Sequence, residues 1–444
     1  MTSPEPVGTR PSIFRSLGPA IIIASVVLGP GSILTNSKVG WQFGYDMVWV
    51  LACTAVLMIG MTALSARLGV CLDGTLCEEL GRRAGRPVAL VAGLTLFLVA
   101  ACFQFGNNLG ILYSLEPLLE GSAIGTGNGW AVTVLVLLNA GIIVVLFGFR
   151  QLYTPVERLM KALVALMVVG FAANLLLAQP SLPAVIAGLM PRLPEGAWHS
   201  LLPRLETAGG QAVIRDDLLA VQGLIGTTFS VGGAFYHAYL VRQKGWTRDH
   251  LSQGLFDSVA GISVLALMSL MVMVTAASVL HGNPDVQQLR NAADVARQLQ
   301  PLFGSLATGL FCMGIFAGAF SSFLVNAMIG GTVLSDGLGR GGSMDQLGPK
   351  ICTVLALLTG MVVAVAVKTL DFKTGDLIIF AQALTVLGNP LLAGAMLWLA
   401  TRGDMQGERV VPTWIKLVSG LGFVLVLGLS LRTAVQVYLK LAAI

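Results

Sequence analysis

Two glycine-rich interruptions inside apolar runs carry the chemistry open to this sequence. One is Leu28-Gly29-Pro30-Gly31-Ser32, halfway through the first apolar stretch, and the other is Ser230-Val231-Gly232-Gly233 in the sixth. Proline removes a backbone donor and clashes with the preceding turn, while glycine tolerates unwound geometry. Each break therefore frees backbone groups and opens a half-helix, at Ile33 and at Ala234. Such a start presents unpaired N–H groups and the positive end of a dipole, suited to a carboxylate or another anionic oxygen. Ser32, Thr35, Asn36, Thr227, Thr228 and Ser230 add neutral hydrogen-bonding groups, and Gly29, Gly31, Gly232 and Gly233 leave volume. The chemistry implied is binding without bond-making, of a small organic solute or a weakly bound hydrated cation. The apolar segments hold no metal cluster, nucleophile–base arrangement or phosphate loop, which argues against an enzyme and implies no cofactor.

The remaining polar groups inside apolar segments are few. Gln104, Asn107 and Asn108 cluster in the third segment, His237 lies in the sixth, and Gln382 and Asn389 lie in the tenth. Intramembrane amides line a path or bond across helices, and the clustering of three on one helix favours the path for Gln104 and Asn107. A histidine there titrates near neutral pH and can relay protons, or is held by one neighbour. Glu157, Asp217, Asp257 and Asp376 read as segment ends, with no acid near the middle of a segment. Acids mark most intramembrane ion and proton pathways, so this pattern argues against a dehydrated divalent ion and against carboxylate proton coupling.

The elements that must position these residues are membrane helices. Hydrophobic residues make up 55% of the 444 residues and charged ones 11%, with a mean hydropathy of +0.81. That composition excludes a soluble domain. About eleven segments reach the length a bilayer requires: 16–40, 47–68, 88–112, 130–149, 156–177, 218–241, 259–280, 302–324, 351–367, 377–400 and 415–438. The eighth can extend toward Val333. Placing the N-terminus in the cytoplasm gathers 17 of the 27 Lys and Arg on that side, and the opposite connection 115–129 has none. The expected topology is N-terminus in and C-terminus out, in the cell (inner) membrane.

Residues 1–15 read as a cytoplasmic tail, 16–402 as the core and 403–444 as an extra C-terminal helix. The core divides into halves of five segments, about 16–177 and 218–400, each opening with a broken helix. Paired broken helices are the best sequence pointer to a transporter's binding site. The long connections 178–217 and 281–301 read as short helices or lids. The six cysteines read as reduced and structural, the first apolar run lacks a cleavage site, and the net charge of +5 calls for no nucleic-acid partner. The partners implied are the bilayer and a small substrate.

Several collinear motifs carry a family resemblance. Leu64-Ser65-Ala66-Arg67-Leu68-Gly69-Val70 follows the second segment, then Gly148-Phe149-Arg150-Gln151-Leu152, Ala162-Leu163-Val164-Ala165-Leu166 and Leu177-Ala178-Gln179-Pro180. Thr275 to Gly282 ends the seventh segment, Ser321-Ser322 lies in the eighth, and Gln382 and Asn389-Pro390 lie in the tenth. In that order they resemble the Nramp family of divalent-metal transporters, over roughly residues 16–402. The resemblance implies an all-α, LeuT-type inverted repeat of five plus five helices, with one extra C-terminal helix. It also implies alternating access around a midplane site between the first and sixth helices.

In the family the first break reads Asp-Pro-Gly-Asn, and its Asp and Asn bind metal; Gly29 and Ser32 stand at those positions here. The sixth-helix Met-Pro-His is matched by Ser230, Val231 and Gly232, and the second His is retained as His237. The acidic pair of the third helix corresponds to Gln104 and Asn107. The resemblance thus implies a divergent member. Its expected substrate-binding residues are Gly29, Gly31, Ser32, Thr228, Ser230, Gly232 and Gly233, its pathway residues Gln104, Asn107, His237, Gln382 and Asn389, and its metal ligands none. Its cargo is a cation outside typical proton-coupled Mn/Fe transport, with a small organic solute (an amino acid or carboxylate) or a non-transporting sensor as the alternatives.

Overall fold

The computed structural model describes residues 18–119, 129–192, 201–208, 211–284, 286, 288–289, 292–369 and 388–442. The tail 1–15, Asp376 and Gln382 lie outside them.

The first apolar stretch forms two helices, α1 (Pro19–Val27) and α2 (Pro30–Phe43), bent by 62° at the break. Then come α3 (Val48–Cys71), the short α4 (Leu76–Ala84), α5 (Arg86–Leu119), α6 (Gly129–Gly148) and α7 (Tyr153–Ala178). After the connection, α9 (Leu219–Thr228) and α10 (Val231–Gln243) form a second interrupted pair. They are followed by α11 (Leu251–Val279), α12 (Ala292–Gly337), α13 (Leu347–Thr369), α14 (Gly388–Ala400) and α15 (Thr413–Ala442). Eight described helices are long and apolar enough to span a bilayer, or nine with α1–α2 taken as one bent span. The halves of the second broken pair and the 13-residue α14 are too short to qualify singly.

Among its described residues, the connection 178–217 holds strands beside a short helix. It contains α8 (Leu182–Ala187) and a two-stranded antiparallel hairpin of β1 (Arg204–Ala208) and β2 (Gln211–Arg215), in register Arg204↔Arg215. The eighth segment is longer than its apolar stretch, since α12 runs unbroken from a kink at Gly304 to Gly337.

Packing follows from which faces lack polar groups. α12 lies along α5, α7 and α13, α11 packs on α2 and α3, and α15 rests against α3. Glycine permits the closest approach: a Cβ on Gly110 of α5 would stand 2.1 Å from the Pro30 ring. The outer faces are apolar because lipid, not water, covers them. Along α15, Leu417, Val424 and Leu431 recur every seven residues and are each more than 60% exposed.

At one end, polar groups pin the helices together. Thr75 and Glu78 form a capping box that starts α4, the reciprocal arrangement that satisfies two orphan donors. Asp336 at the end of α12 accepts from Thr75 Oγ1 (2.5 Å) and from Tyr239 OH of α10 (2.6 Å). Arg242 donates to the carbonyls of Gly69, Leu72 and Asp73. This end carries Arg82, Arg83 and Arg86.

Candidate functional site

The two breaks face each other across a cavity of about 50 Å³, enough for roughly three or four waters. From α1, α2 and their break come Val26, Val27, Gly29, Gly31 and Ser32; from α9, α10 and theirs come Gly226, Thr227, Ser230, Gly232 and Gly233. α5 contributes Leu96, Val99, Ala100, Phe103 and Asn107, α12 contributes Ser322, Asn326 and Ile329, and α14 contributes Asn389. No side chain in this lining carries a formal charge, an imidazole or a sulfur. Among the described residues no three His, Cys, Asp or Glu side chains gather to hold a metal ion.

Local chemistry explains the shape. Gly29 caps α2 with extended backbone and Pro30 occupies the first helical turn, where its missing N–H leaves no helical bond unmade. Ser230 caps α10, its Oγ accepting from Gly233 N at 3.2 Å. Thr35 and Thr227 meet at 3.3 Å between their hydroxyls, joining α2 to α9. At Gly29 a Cβ would stand 2.6 Å from Ser322 Oγ and 3.5 Å from Asn107 Oδ1. A hydroxyl and a carboxamide therefore border the position that the resemblance matches to the family's Asp.

The sequence-predicted residues divide into groups. Gly29, Gly31, Ser32, Ser230, Gly232, Gly233, Asn107 and Asn389 line the cavity, whereas Thr228 is buried outside the lining and its neighbour Thr227 faces in. Gln104 is turned away: its Nε2 donates to Phe323 O at 2.8 Å and its Oε1 accepts from Asn107 at 3.1 Å. Asn108 bonds Gln104 O and accepts from Asn139, tying α5 to α6. The amide cluster therefore presents Asn107 to the cavity and uses its other members to hold helices together.

His237 does not reach the cavity, and it has an acidic neighbour. Its Nε2 lies 3.6 Å from Asp257 Oδ2, and both side chains are fully buried. Asp257 lies in the second turn of α11, which begins at Leu251, eight residues before the apolar stretch. Two other acids, Glu157 and Asp217, do sit near element ends. Glu157 holds Lys161 at 2.8 Å and Lys244 at 3.2 Å.

Sequence reasoning left Ser322 and Asn326 unassigned, although both line the cavity. Their signal was available: two polar residues at i and i+4 share one face of an otherwise apolar helix.

Comparison with known proteins bears on this architecture. The chain is 25% identical over 428 residues to a divalent metal cation transporter MntH of Verminephrobacter eiseniae, covering 95% of this chain and 89% of that protein. It is 25% identical over 442 residues to a divalent metal cation transporter MntH of Deinococcus radiodurans, covering 96% and 90%. Among solved structures, the manganese transporter of Eremococcus coleocola matches with a TM-score of 0.72 at 19% identity, over 96% of this chain and 87% of that one. MhsT in complex with L-phenylalanine matches at 0.58 and 16%, over 96% and 98%. These likenesses share the inverted-repeat, LeuT-type fold. The model of the Nramp family, natural resistance-associated macrophage protein-like, matches residues 20–436. That match takes in every described helix but the first residue of α1 and the last turns of α15, and the chain belongs to the Nramp family of membrane transporters.

Proposed function

We propose that the chain is an inner-membrane secondary transporter whose cargo is a hard cation carried with part of its water, bound between the two helix breaks. The N-terminus faces the cytoplasm and the C-terminus the outside, and access alternates through movement of α1–α2 and α9–α10. The cargo class follows the family and its named relatives. The departure from dehydrated Mn²⁺ or Fe²⁺ rests on one observation: the cavity is lined by hydroxyls, carboxamides and backbone, with no carboxylate, imidazole or thioether. Soft and borderline metals are selected by sulfur and imidazole, while neutral oxygens suit hard ions that keep several waters. Gly29, Gly31, Ser32, Ser230, Gly232 and Gly233 would surround the cargo, with Asn107 and Asn389 at its flanks.

A second reading, transport of a small amino acid or carboxylate, has its own support. No atom lies within 4 Å of a Cβ built on Gly31, so the half-helix start is open to a ligand group larger than an ion.

Calorimetric titration of the purified protein with Mn²⁺, Mg²⁺ and Ca²⁺ separates these readings. Binding of Mg²⁺ or Ca²⁺, with Mn²⁺ no more than about tenfold tighter and Ser32→Trp abolishing all three, is expected for neutral oxygen donors. Mn²⁺ bound far more tightly than Mg²⁺ would overturn the hard-cation reading. Silence toward every metal, with thermal stabilisation by one class of amino acid or carboxylate, would establish the second.

A further inference from the structure

We propose that the groove where α6 ends and α13 begins binds the headgroup of an anionic phospholipid. No residue of the central cavity takes part, so the site and the cargo are tested separately.

Among the described spans α6 has the least protein around it. Of its most apolar 18 residues 28% are buried, against 33–72% in the others. Its end is joined to α13 by Lys350, whose Nζ donates to Phe149 O at 3.0 Å and lies 5.8 Å from the centroid of the Phe147 ring. An interfacial lysine commonly extends its ammonium into water, but Lys350 is 8% exposed. Phe147 and Phe149 are both nearly half exposed, so the groove opens toward lipid. The 23 residues of α13 match a bilayer's thickness, which sets its first turn at the membrane boundary.

Two further cations lie beside Lys350. Arg150 follows Phe149 directly, and Arg340 packs on the first turn of α13, where a Cβ on Gly348 would stand 3.1 Å from Arg340 Cβ. Both arginines are exposed, and among the described residues none of the three cations forms an ion pair. The neighbouring acids are committed elsewhere. Asp336 accepts from Thr75 and Tyr239, Asp345 accepts from Leu152 N at 2.8 Å, and Glu157 holds two lysines. Three uncompensated cations in one groove repel one another, and an anion placed among them removes that cost.

The hydrocarbon half of the ligand has its own surface. Leu347, Ile351, Leu355, Leu358 and Val362 are 37–64% exposed and, at about 100° per residue, form one stripe along α13. Lys350 leaves the helix on one side of this stripe, and Gly348, with Arg340 against it, lies on the other. A ligand that fits both parts carries a phosphate and acyl chains. Basic pockets between helices on the cytoplasmic side take anionic lipid headgroups, and the expected topology puts Arg150, Arg340 and Lys350 on that side. Bound there, the lipid would brace α6 against α13.

Interfacial basic residues face a bilayer without selecting a lipid, so the test must read headgroup preference. The experiment is thermal unfolding of the purified full-length protein in detergent, with phosphatidylglycerol or phosphatidylcholine of the same chains added. Phosphatidylglycerol should raise the midpoint by at least about 2 °C more than phosphatidylcholine does. That excess should be at least halved in Lys350→Gln and in Arg150→Gln/Arg340→Gln, the latter altering only exposed side chains. It should persist in Lys416→Gln, which removes a cation at the start of α15. Equal midpoints with the two lipids in the natural protein overturn the proposal, whatever the variants do. An unchanged excess in folded Arg150→Gln/Arg340→Gln overturns it too. Inorganic phosphate producing the same rise without lipid would show a free-anion site, which also overturns it.

Discussion

His237 Nε2 lies 3.6 Å from Asp257 Oδ2, and the same carboxylate accepts from Gly18 N at 2.7 Å and Ala20 N at 2.8 Å. Asp257 is therefore an N-terminal cap for α1 supplied by a different helix. It satisfies donors that every helix start leaves open and joins α1, α10 and α11 at one buried point. The imidazole stands beyond hydrogen-bond reach, and among the described residues neither of its nitrogens has a hydrogen-bond partner.

That geometry predicts an asymmetry. Asp257→Ala leaves two backbone N–H groups unpaired and should destabilise by about 1–3 kcal/mol for each buried donor left open. His237→Phe keeps the volume and removes two unsatisfied nitrogens, so its cost should be small. Thermal unfolding of both variants in one detergent checks this. Equal losses would mean that the His–Asp contact, not the helix cap, carries the energy.

The breaks were legible because proline and glycine side by side in an apolar run disfavour an unbroken helix, and Pro30 and Ser230 both fall where the helices are interrupted. The hairpin had a signal as well: Gly209-Gly210 separates two short runs, a common turn dipeptide between paired strands, yet the mixed charge of the connection suggested helix. The Asp257–His237 pair was hidden for a different reason. Hydropathy cuts a helix where polar residues begin, and the first two turns of α11 are polar on one face while buried by α1 on the other. Ser322 and Asn326 were visible as residues; their facing the cavity depends on how α12 crosses α1, which no local pattern encodes.

The proposed match of Gly29, Ser32 and Ser230 to the family's metal-ligand positions can be tested by substitution. Gly29→Asp with Ser32→Asn and Ser230→Met restores a carboxylate, a carboxamide and a thioether where neutral groups stand. Mn²⁺ affinity should rise by at least about tenfold, following the preference of transition metals for such donors. The new Cβ at residue 29 would stand 2.6 Å from Ser322 Oγ, so adding Ser322→Ala should increase the gain by removing the clash. Calorimetry with Mn²⁺ measures both steps, and a folded triple variant with unchanged affinity would refute the positional match.

Acid sensitivity should trace in part to Glu79 on α4, outside the spans. Burial pushes its carboxyl upward, but hydrogen bonds from Arg82, Arg83 and Gly74 N outweigh this and hold it below the ordinary value of 4.5. A carboxyl depressed in the folded state stabilises fully above its unfolded pKa, and the contribution fades as pH falls through the folded value. Between pH 7 and about 3 the unfolding temperature of the natural protein should therefore fall more than that of Glu79→Gln, which starts lower. Parallel curves across that range would remove Glu79 from the acid response.

Cys77 reports on the end held by the Thr75–Asp336–Tyr239 bonds. It is fully buried, its N–H donates to Tyr239 OH at 3.3 Å, and Tyr239 in turn donates to Asp336 at 2.6 Å. Burial pushes its thiol up to about 12, so at neutral pH the thiol, not the reactive thiolate, is the resident form. The natural protein should resist maleimide at this position for hours. Tyr239→Phe leaves Asp336 without one donor and the Cys77 N–H without its acceptor, which loosens the contact among α4, α10 and α12. Labelling at Cys77, read by peptide mass spectrometry, should then accelerate, and faster still with Asp336→Asn, because local opening exposes groups in proportion to the open population. Unchanged labelling in both folded variants would show that this end is held by packing and not by the Thr75–Asp336–Tyr239 bonds.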